Sequence, residues 1–322
     1  MNAAVLHAIG KAPRCEEFAE PEAKDGEVVV RVRVAALKPI DQQMATGAHY
    51  SSHRQLPAVC GTDGVGLLGD GKRVFFAGAR PPYGAMAERT VVAAMRCFPL
   101  PDNVDDVTAA AVFNPGLSAF GALKWRAQLA PAETVLILGA TGVTGKLAIQ
   151  TAKLLGAGRV VAAGRNQQVL STLHELGADA TIRLDKTGAE LAELFAHETG
   201  GKGFDIVIDY LWGMPTEALL AAITRRDFNP ASGRVRLVQV GESAGATISL
   251  PAAVLRSSRL EILGAGSGSA PASREMWAEA IQWLLGNVAR RALRVKTERV
   301  PLAEIESEWG RERHGRRAVV IP

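Results

Sequence analysis

The sequence predicts an α/β chain in two parts: a doubly wound parallel sheet in the middle and a mostly-β domain assembled from both flanks. Three observations predict it. From Thr134 onward, short apolar runs alternate with helical patterns, the mark of a parallel sheet covered by helices. Before that, residues 27–36 (EVVVRVRVAA) alternate apolar and charged side chains, as a half-buried antiparallel strand does. After it, alternating strands return at 297–300 and 317–321, so the two flanks are expected to form one discontinuous domain. The expected boundaries are 1–116 with 267–322 for the mostly-β domain and 117–266 for the parallel-sheet domain.

The elements follow in order. Glycine-rich breaks at 61–71 separate the 27–36 strand from short strands at 73–76 and 87–92. A helix is expected over 104–111, with Asp105 and Asp106 at its positive end, and another over 117–127. Strand 135–138, helix 146–155 and strand 159–163 form the first strand–helix–strand unit. Helix 167–176, strand 180–183, helix 188–199, strand 205–209 and helix 215–223 continue the alternation. Strands 234–240 and 260–263 close the sheet, and helix 273–285 leads back to the first domain.

The turn after the first parallel strand carries the chemistry. Gly139, Gly142 and Gly145 recur at spacing three between a strand and a helix, the context of a dinucleotide fingerprint and of a Rossmann-type domain. Gly139 permits the sharp turn, Gly142 lets the backbone approach a pyrophosphate, and Gly145 lets the helix pack close to the sheet. The N–H groups of Thr141, Gly142, Val143, Thr144 and Gly145 are expected to face the anion. The next strand ends in Gly164-Arg165-Asn166, with no carboxylate there for a ribose 2′-hydroxyl. Arg165 offers a guanidinium to a 2′-phosphate, so the expected cofactor is NADPH; the alternative is an ordinary solvated loop arginine. Tyr210, Val240 and Gly241 lie at the carboxyl ends of later strands, where ligands bind in such sheets, and Gly264, Ala265 and Gly266 form a glycine-rich return.

Composition narrows the classes. With 322 residues, of which 48% are hydrophobic, the chain can bury two cores, and no run of eighteen apolar residues predicts a membrane span. The first eighteen residues lack the pattern of a secretory leader, and Cys15, Cys60 and Cys97 lack paired spacing, so a reducing cytoplasm is expected. The net charge of +4 is carried by late arginines such as Arg290, Arg291, Arg294 and the run 311–317. Aromatic residues are sparse there and Glu312 interrupts the run, so a solvated face is expected rather than a nucleic-acid surface.

Set in order, several segments resemble the medium-chain dehydrogenase/reductase superfamily in its zinc-free, quinone oxidoreductase-like branch. They are LKPIDQQMATG (37–47), PAVCGTDGVG (57–66), GKRV (71–74), GAMAE (84–88), GLSA (116–119), the glycine turn, LGADA (176–180), DIVID (205–209) and the ending 315–322. The resemblance implies a GroES-like catalytic domain beside the Rossmann domain. It also implies that Ser118, with Asn114 one turn earlier, serves the nicotinamide end of the cofactor, and that the chain forms homodimers by joining nucleotide domains, with 228–237 a candidate contact.

The departures from that family carry as much as the matches. The zinc-dependent members bind their metal through Cys, His and Cys; those positions fall on Lys38, Thr62 and Asn114, and the four-cysteine structural loop is missing. No metal is therefore expected. Lys38, standing where the metal charge would be, is a candidate catalytic group, with Asp63 as its partner; the alternative is a buried ion pair without chemistry. Tyr50 is a candidate donor to a substrate carbonyl oxygen, or a surface tyrosine, and His49 beside it is an exposed candidate acid. The implied activity is hydride transfer from NADPH to a quinone or an α,β-unsaturated carbonyl, a small electrophilic partner. The alternatives are a nucleotide-binding structural or RNA-binding relative, or a zinc-free alcohol dehydrogenase.

Overall fold

The structure is a computed structural model and describes residues 1–198, 203–224, 233–269, 271 and 273–322. It divides into two compact units, Met1–Asn114 with Trp283–Pro322, and Pro115–Gln282.

In the first unit, β1 (Asn2–Leu6), β2 (Arg14–Glu17) and β4 (Ala58–Val59) form a small sheet in the order β2-β1-β4. The main sheet centres on β3 (Glu27–Leu37), which pairs antiparallel with β5 (Asp63–Leu67) along one edge. Along its other edge β3 pairs first with β7 (Arg89–Ala93) and then with β16 (Arg317–Ile321). β6 (Arg73–Ala77) and β8 (Cys97–Pro99) extend the sheet beyond β5, and β15 (Thr297–Pro301) runs parallel to β16. Alternation along β3 places Val30, Val32 and Val34 inward while Arg31 and Arg33 face solvent. The inward face packs on Leu6, Phe76, Met86, Val92, Ile305 and Val320. The short helices α1 (Pro39–Thr46) and α9 (Ile305–Glu308) lie in this unit.

Helix α2 (Asp106–Phe120) carries the chain into the second unit and continues as a π-type turn over Gly121–Arg126. Two separate helices were expected here; one helix runs through Pro115 instead. Apolar residues buried around that proline include Ala111, Val112, Phe113, Ala119 and Phe120. Tertiary packing there outweighs the hydrogen bond that a helical proline forgoes.

The second unit is a six-stranded, all-parallel sheet. Its strands are β9 (Thr134–Leu138), β10 (Arg159–Gly164), β11 (Ala180–Arg183), β12 (Ile206–Asp209), β13 (Val235–Gln239) and β14 (Leu260–Gly264), in the order β11-β10-β9-β12-β13-β14. Strand order reverses between β9 and β12, which makes a topological switch point at their carboxyl ends. Helix α3 (Val143–Leu154) follows β9, the short α4 (Gln167–Leu170) follows β10, α5 (Gly188–Glu198) follows β11, α6 (Gly213–Thr224) follows β12 and α7 (Ala252–Ser257) precedes β14. The strands are apolar on both faces and pack into a core on each side of the sheet. Helix α8 (Arg274–Ala289) leads back toward the first unit.

Two further expectations change, and two others reach outside the described residues. Helix α3 begins at Val143, three residues before the expected start, because Gly142 already serves as its N-cap. The helix expected over 167–176 is split into α4 and a 3-10 turn at Leu173–Leu176. Position 199, the expected end of α5, lies outside the described residues. Of the dimer segment 228–237, residues 228–232 also lie outside them, and the rest belongs to β13, whose two edges are occupied by β12 and β14.

Candidate functional site

The candidate residues fall into two sets, one in each unit, and each set is built locally.

In the second unit, β9 ends at Leu138 and Gly139 turns the chain with φ +89°. Glycine tolerates that conformation at no steric cost. The N–H groups of Gly139 and Ala140 both donate to Ala163 O of the neighbouring strand, at 3.0 and 2.8 Å, which anchors the turn to β10. Gly142 then adopts an extended conformation as the N-cap of α3, without a side chain to satisfy the first helical N–H groups. Those donors and the helix dipole point outward from the carboxyl edge of the sheet, the arrangement that binds phosphate. A Cβ on Gly145 would stand 2.4 Å from Gly139 O and 2.6 Å from Ala140 Cα, so only glycine lets α3 approach this closely. A Cβ on Gly164 would stand 2.4 Å from Thr141 Cγ2, so the turn and the end of β10 are fitted to each other. Thr141, Val143 and Thr144 complete this turn.

Arg165 follows at the end of β10 and is exposed. It makes no ion pair or side-chain hydrogen bond among the described residues, so its guanidinium is available to an anion. Asn166 acts locally, its Oδ1 accepting the Val169 N–H at 3.1 Å to cap α4.

The carboxyl ends of β12, β13 and β14 are knitted together. Asp209 O accepts the N–H groups of Val240 and Gly241 at 2.8 and 3.1 Å. Gln239 O accepts the Ala265 N–H at 2.8 Å, between Gly264 and Gly266, and the Gly266 N–H donates to Ser269 Oγ at 2.8 Å. The buried Asp209 carboxylate accepts the Leu211 and Trp212 N–H groups at 2.8 and 2.9 Å and the Thr216 hydroxyl at 2.5 Å. Burial pushes its acidity toward the neutral form, and these three donors oppose that. Sequence reasoning missed this role of Asp209 and Thr216; an aspartate that ends an apolar strand just before a turn was the available signal. Tyr210 lies beside the glycine turn, its Cβ 3.2 Å from where a Gly139 Cβ would be. The Tyr210 hydroxyl is buried and has no hydrogen-bond partner among the described residues. Ser118 and Asn114 are half-buried and four residues apart on α2, hence on one helical face.

In the first unit, Lys38 and Asp63 come together. Lys38 sits between β3 and α1, held extended before Pro39, which occupies the first helical turn. Its side chain is 2% exposed. The ammonium donates to Ala36 O at 2.8 Å and Asp63 Oδ1 at 3.1 Å, and lies 3.3 Å from Asp41 Oδ2. The ammonium thus makes two hydrogen bonds and a second ion pair. Asp41 adds a capping role, accepting the Lys38 N–H at 2.8 Å and the Thr62 N–H at 3.0 Å. Arg317 of β16 closes the cluster: it is 5% exposed, donates to Leu37 O at 3.0 Å, and carries a charge that acts on both aspartates. Two buried carboxylates therefore balance two buried cations. Burial raises the Asp63 carboxyl, with Lys38 opposing and Asp41 reinforcing the rise. Burial lowers the Arg317 guanidinium to about 10, opposed by Asp41 and Asp63.

Asp41 and Arg317 were not singled out from the sequence. Asp41 was legible as the third helical residue after Lys38-Pro39, the capping-box position. Arg317 had no signal, because 280 positions separate it from its acceptor at Leu37. His53 lies half-buried near this cluster; burial lowers its basicity and Asp41 opposes that shift. Tyr50 is 71% exposed, its ring 4.0 Å from that of His49.

The donor set does not fit a zinc ion. The three positions of a Cys–His–Cys site carry Lys38, Thr62 and Asn114, and Lys38 together with Arg317 already balances Asp41 and Asp63. Among the described residues no group of three or more His, Cys, Asp or Glu is arranged to hold a metal, and no helix is long and apolar enough to cross a membrane. The glycine turn, by contrast, fits a dinucleotide: a helix start with free donors, glycines where a Cβ would collide, and a strand-order reversal beside it.

A family model described as zinc-binding dehydrogenase matches residues 143–286. The quinone oxidoreductase of Salmonella typhimurium (strain LT2) is 30% identical over 237 residues, 70% of this chain and 71% of that protein. A quinone oxidoreductase structure from Thermus thermophilus, solved also in complex with NADPH, is 31% identical with a TM-score of 0.81 and covers 100% of both chains. A quinone oxidoreductase structure from Pseudomonas syringae pv. Tomato has a TM-score of 0.86 at 23% identity over 100% of both chains, a likeness of fold alone.

Proposed function

The chain belongs to the medium-chain dehydrogenase/reductase superfamily, in its quinone oxidoreductase-like branch, and on that premise we propose that it is a zinc-independent, NADPH-dependent reductase of quinones or α,β-unsaturated carbonyls. One juxtaposition carries the reading: the chain keeps the nucleotide turn at Gly139, Gly142 and Gly145 and puts a buried, ion-paired lysine where zinc-dependent relatives hold their metal.

The residues divide the work. The first N–H groups of α3, from Val143 and Thr144, hold the pyrophosphate, and Gly145 and Gly164 keep the cradle tight. Arg165 pairs with the 2′-phosphate, which is the basis for NADPH over NADH. Asn114 and Ser118 serve the nicotinamide end from one face of α2, and Val240, Gly241 and 264–266 line the strand ends. When bound, NADPH supplies a hydride, which an electron-poor carbon accepts without a metal. Negative charge then develops on the substrate's carbonyl oxygen, and the Tyr50 phenol is the proposed donor to it. Lys38 and Asp63 tie β3, α1 and β5 together, the buried ammonium donating to Ala36 O and Asp63 Oδ1 and pairing with Asp41.

The deciding experiment is NADPH oxidation against a panel of benzoquinones and enones, with and without prior treatment by a strong zinc chelator. Turnover that survives chelation is expected. Absence of turnover with every acceptor overturns the enzymatic reading, and loss on chelation with recovery on added zinc overturns the metal independence.

A further inference from the structure

The turn between β12 and α6 holds a backbone conformation that its sequence disfavours. Trp212 has φ +56° and Gly213 has φ +63°. Glycine accepts that region freely, whereas a tryptophan enters it only under strain. Strain of this kind persists where the surrounding contacts over-determine it, and it gathers at ligand clamps. Here the contacts come from one carboxylate. Asp209 Oδ1 accepts the Leu211 and Trp212 N–H groups at 2.8 and 2.9 Å, and Oδ2 accepts the Thr216 hydroxyl of α6 at 2.5 Å. Asp209 and Thr216 are both fully buried.

The turn so held touches its neighbours on both sides in the strand order. Toward β9, Tyr210 Cβ and Leu211 Cδ2 each lie 3.2 Å from the place a Gly139 Cβ would occupy, so the turn packs on the first glycine of the fingerprint. Toward β13, Asp209 O accepts the Val240 and Gly241 N–H groups, Tyr210 O accepts the Ser243 hydroxyl at 3.0 Å, and Leu211 O accepts the Ala244 N–H at 2.8 Å. A Cβ on Gly213 would stand 2.8 Å from Ala244 O, so the two segments are fitted to each other there as well. Three consecutive carbonyls therefore carry residues 240–244, and a shift of the turn shifts that segment with it.

A sheet of this kind binds a dinucleotide with two halves, here β9–β11 and β12–β14. Arg165 at the end of β10 places the 2′-phosphate on the first half, so the second half receives the nicotinamide ribose. We propose that Asp209 and Thr216 are positioning residues for the nicotinamide half of the cofactor, acting through the backbone of 210–212 and 240–244 rather than by touching it. The inference rests on the NADPH assignment above.

The two halves give the test its internal control. Thr216→Val keeps the shape of the side chain and removes its donor, and Thr216→Ser keeps the donor. Titration calorimetry compares NADPH with adenosine 2′,5′-bisphosphate, which carries the adenosine half alone. Thr216→Val is expected to weaken NADPH binding about tenfold and to leave the bisphosphate within about twofold of wild type. Thr216→Ser is expected to bring NADPH back to within about threefold of wild type. Asp209→Asn, which keeps an acceptor for the Leu211 and Trp212 N–H groups, is expected to show the same split and serves if Thr216→Val does not fold. Wild-type NADPH affinity in folded Thr216→Val overturns the proposal. Equal weakening of NADPH and the bisphosphate overturns it too, since the damage is then to the fold at large. So does a Thr216→Ser as weak as Thr216→Val, or a failure of both Thr216→Val and Asp209→Asn to fold, which makes the pair a core element only. Wild-type protein that binds neither ligand removes the cofactor assignment itself, a result distinct from wild-type binding that the variants leave intact.

Discussion

Replacing Lys38 with methionine separates a structural cluster from a chemical one. Methionine keeps much of the stem and removes the ammonium. Ala36 O and Asp63 Oδ1 then lose a donor, at 2.8 and 3.1 Å, and Asp41 Oδ2 loses its ion pair at 3.3 Å. Both carboxylates are buried, and Arg317 remains as the cation acting on them. Removing one partner of a buried ion pair leaves an uncompensated charge, a loss of about 3–5 kcal/mol. For a chain of this size that corresponds to a fall in melting temperature of about 6–20 °C.

The deficit depends on pH with a definite sign. The folded Asp63 carboxyl already titrates above its ordinary value because of burial, and Lys38 is what holds it down. Without Lys38 it rises further. A carboxyl raised in the folded state favours folding when protonated, at low pH, and that contribution is lost as pH climbs through the folded value. Melting curves from about pH 5 to 8 are therefore expected to show Lys38→Met closest to wild type at the acid end. Adding Asp63→Asn to Lys38→Met is expected to recover part of the loss at the alkaline end. A single variant within about 1 kcal/mol of wild type, or a deficit that widens toward acid, refutes the closed cluster. A variant that keeps its stability and loses only turnover assigns Lys38 to the chemistry instead.

Two further outcomes concern the nucleotide turn. Arg165→Ala is expected to weaken NADPH binding about 10- to 100-fold at low salt, leave NADH unchanged and leave the melting temperature unchanged, since Arg165 makes no side-chain hydrogen bond or ion pair among the described residues; an unchanged NADPH/NADH affinity ratio refutes its pairing with the 2′-phosphate. Gly145→Ala puts a methyl group 2.4 Å from Gly139 O, so α3 must shift away from the turn. NADPH binding by calorimetry should fall at least tenfold, and wild-type affinity would show that the close approach is dispensable.

The parallel sheet was legible because its strands are continuous apolar runs with glycine at their ends, a pattern that owes little to distant residues. The glycine turn was legible for the same reason. What escaped was set by contacts that spacing does not display. β1, β2 and β4 are short and lack a clean alternation, so their pairing is decided by the partner strand. The split of the 167–176 helix came from side chains competing with backbone: Ser171 Oγ donates to Gln168 O and Thr172 Oγ1 to Val169 O, just where α4 gives way. At the candidate site, the sequence pointed to Lys38 and Asp63 as partners but not to the two residues that complete their charge balance. One of these lies three positions from Lys38 and the other on the last strand of the same sheet.

That last strand orders the synthesis of the protein as well as its charge. β3 is complete at Leu37, yet the guanidinium that bonds its final carbonyl and the strand that covers its edge arrive 280 positions later. At about 5–20 residues per second a ribosome needs roughly 15–60 s to cover that span. Until then Asp41 and Asp63 have only Lys38 of the two cations, and the end of β3 over Ala35–Leu37 lacks its β16 partner. The parallel-sheet unit is contiguous and can finish folding in that interval. The first unit, although translated first, therefore needs the last strand of the chain to complete its sheet.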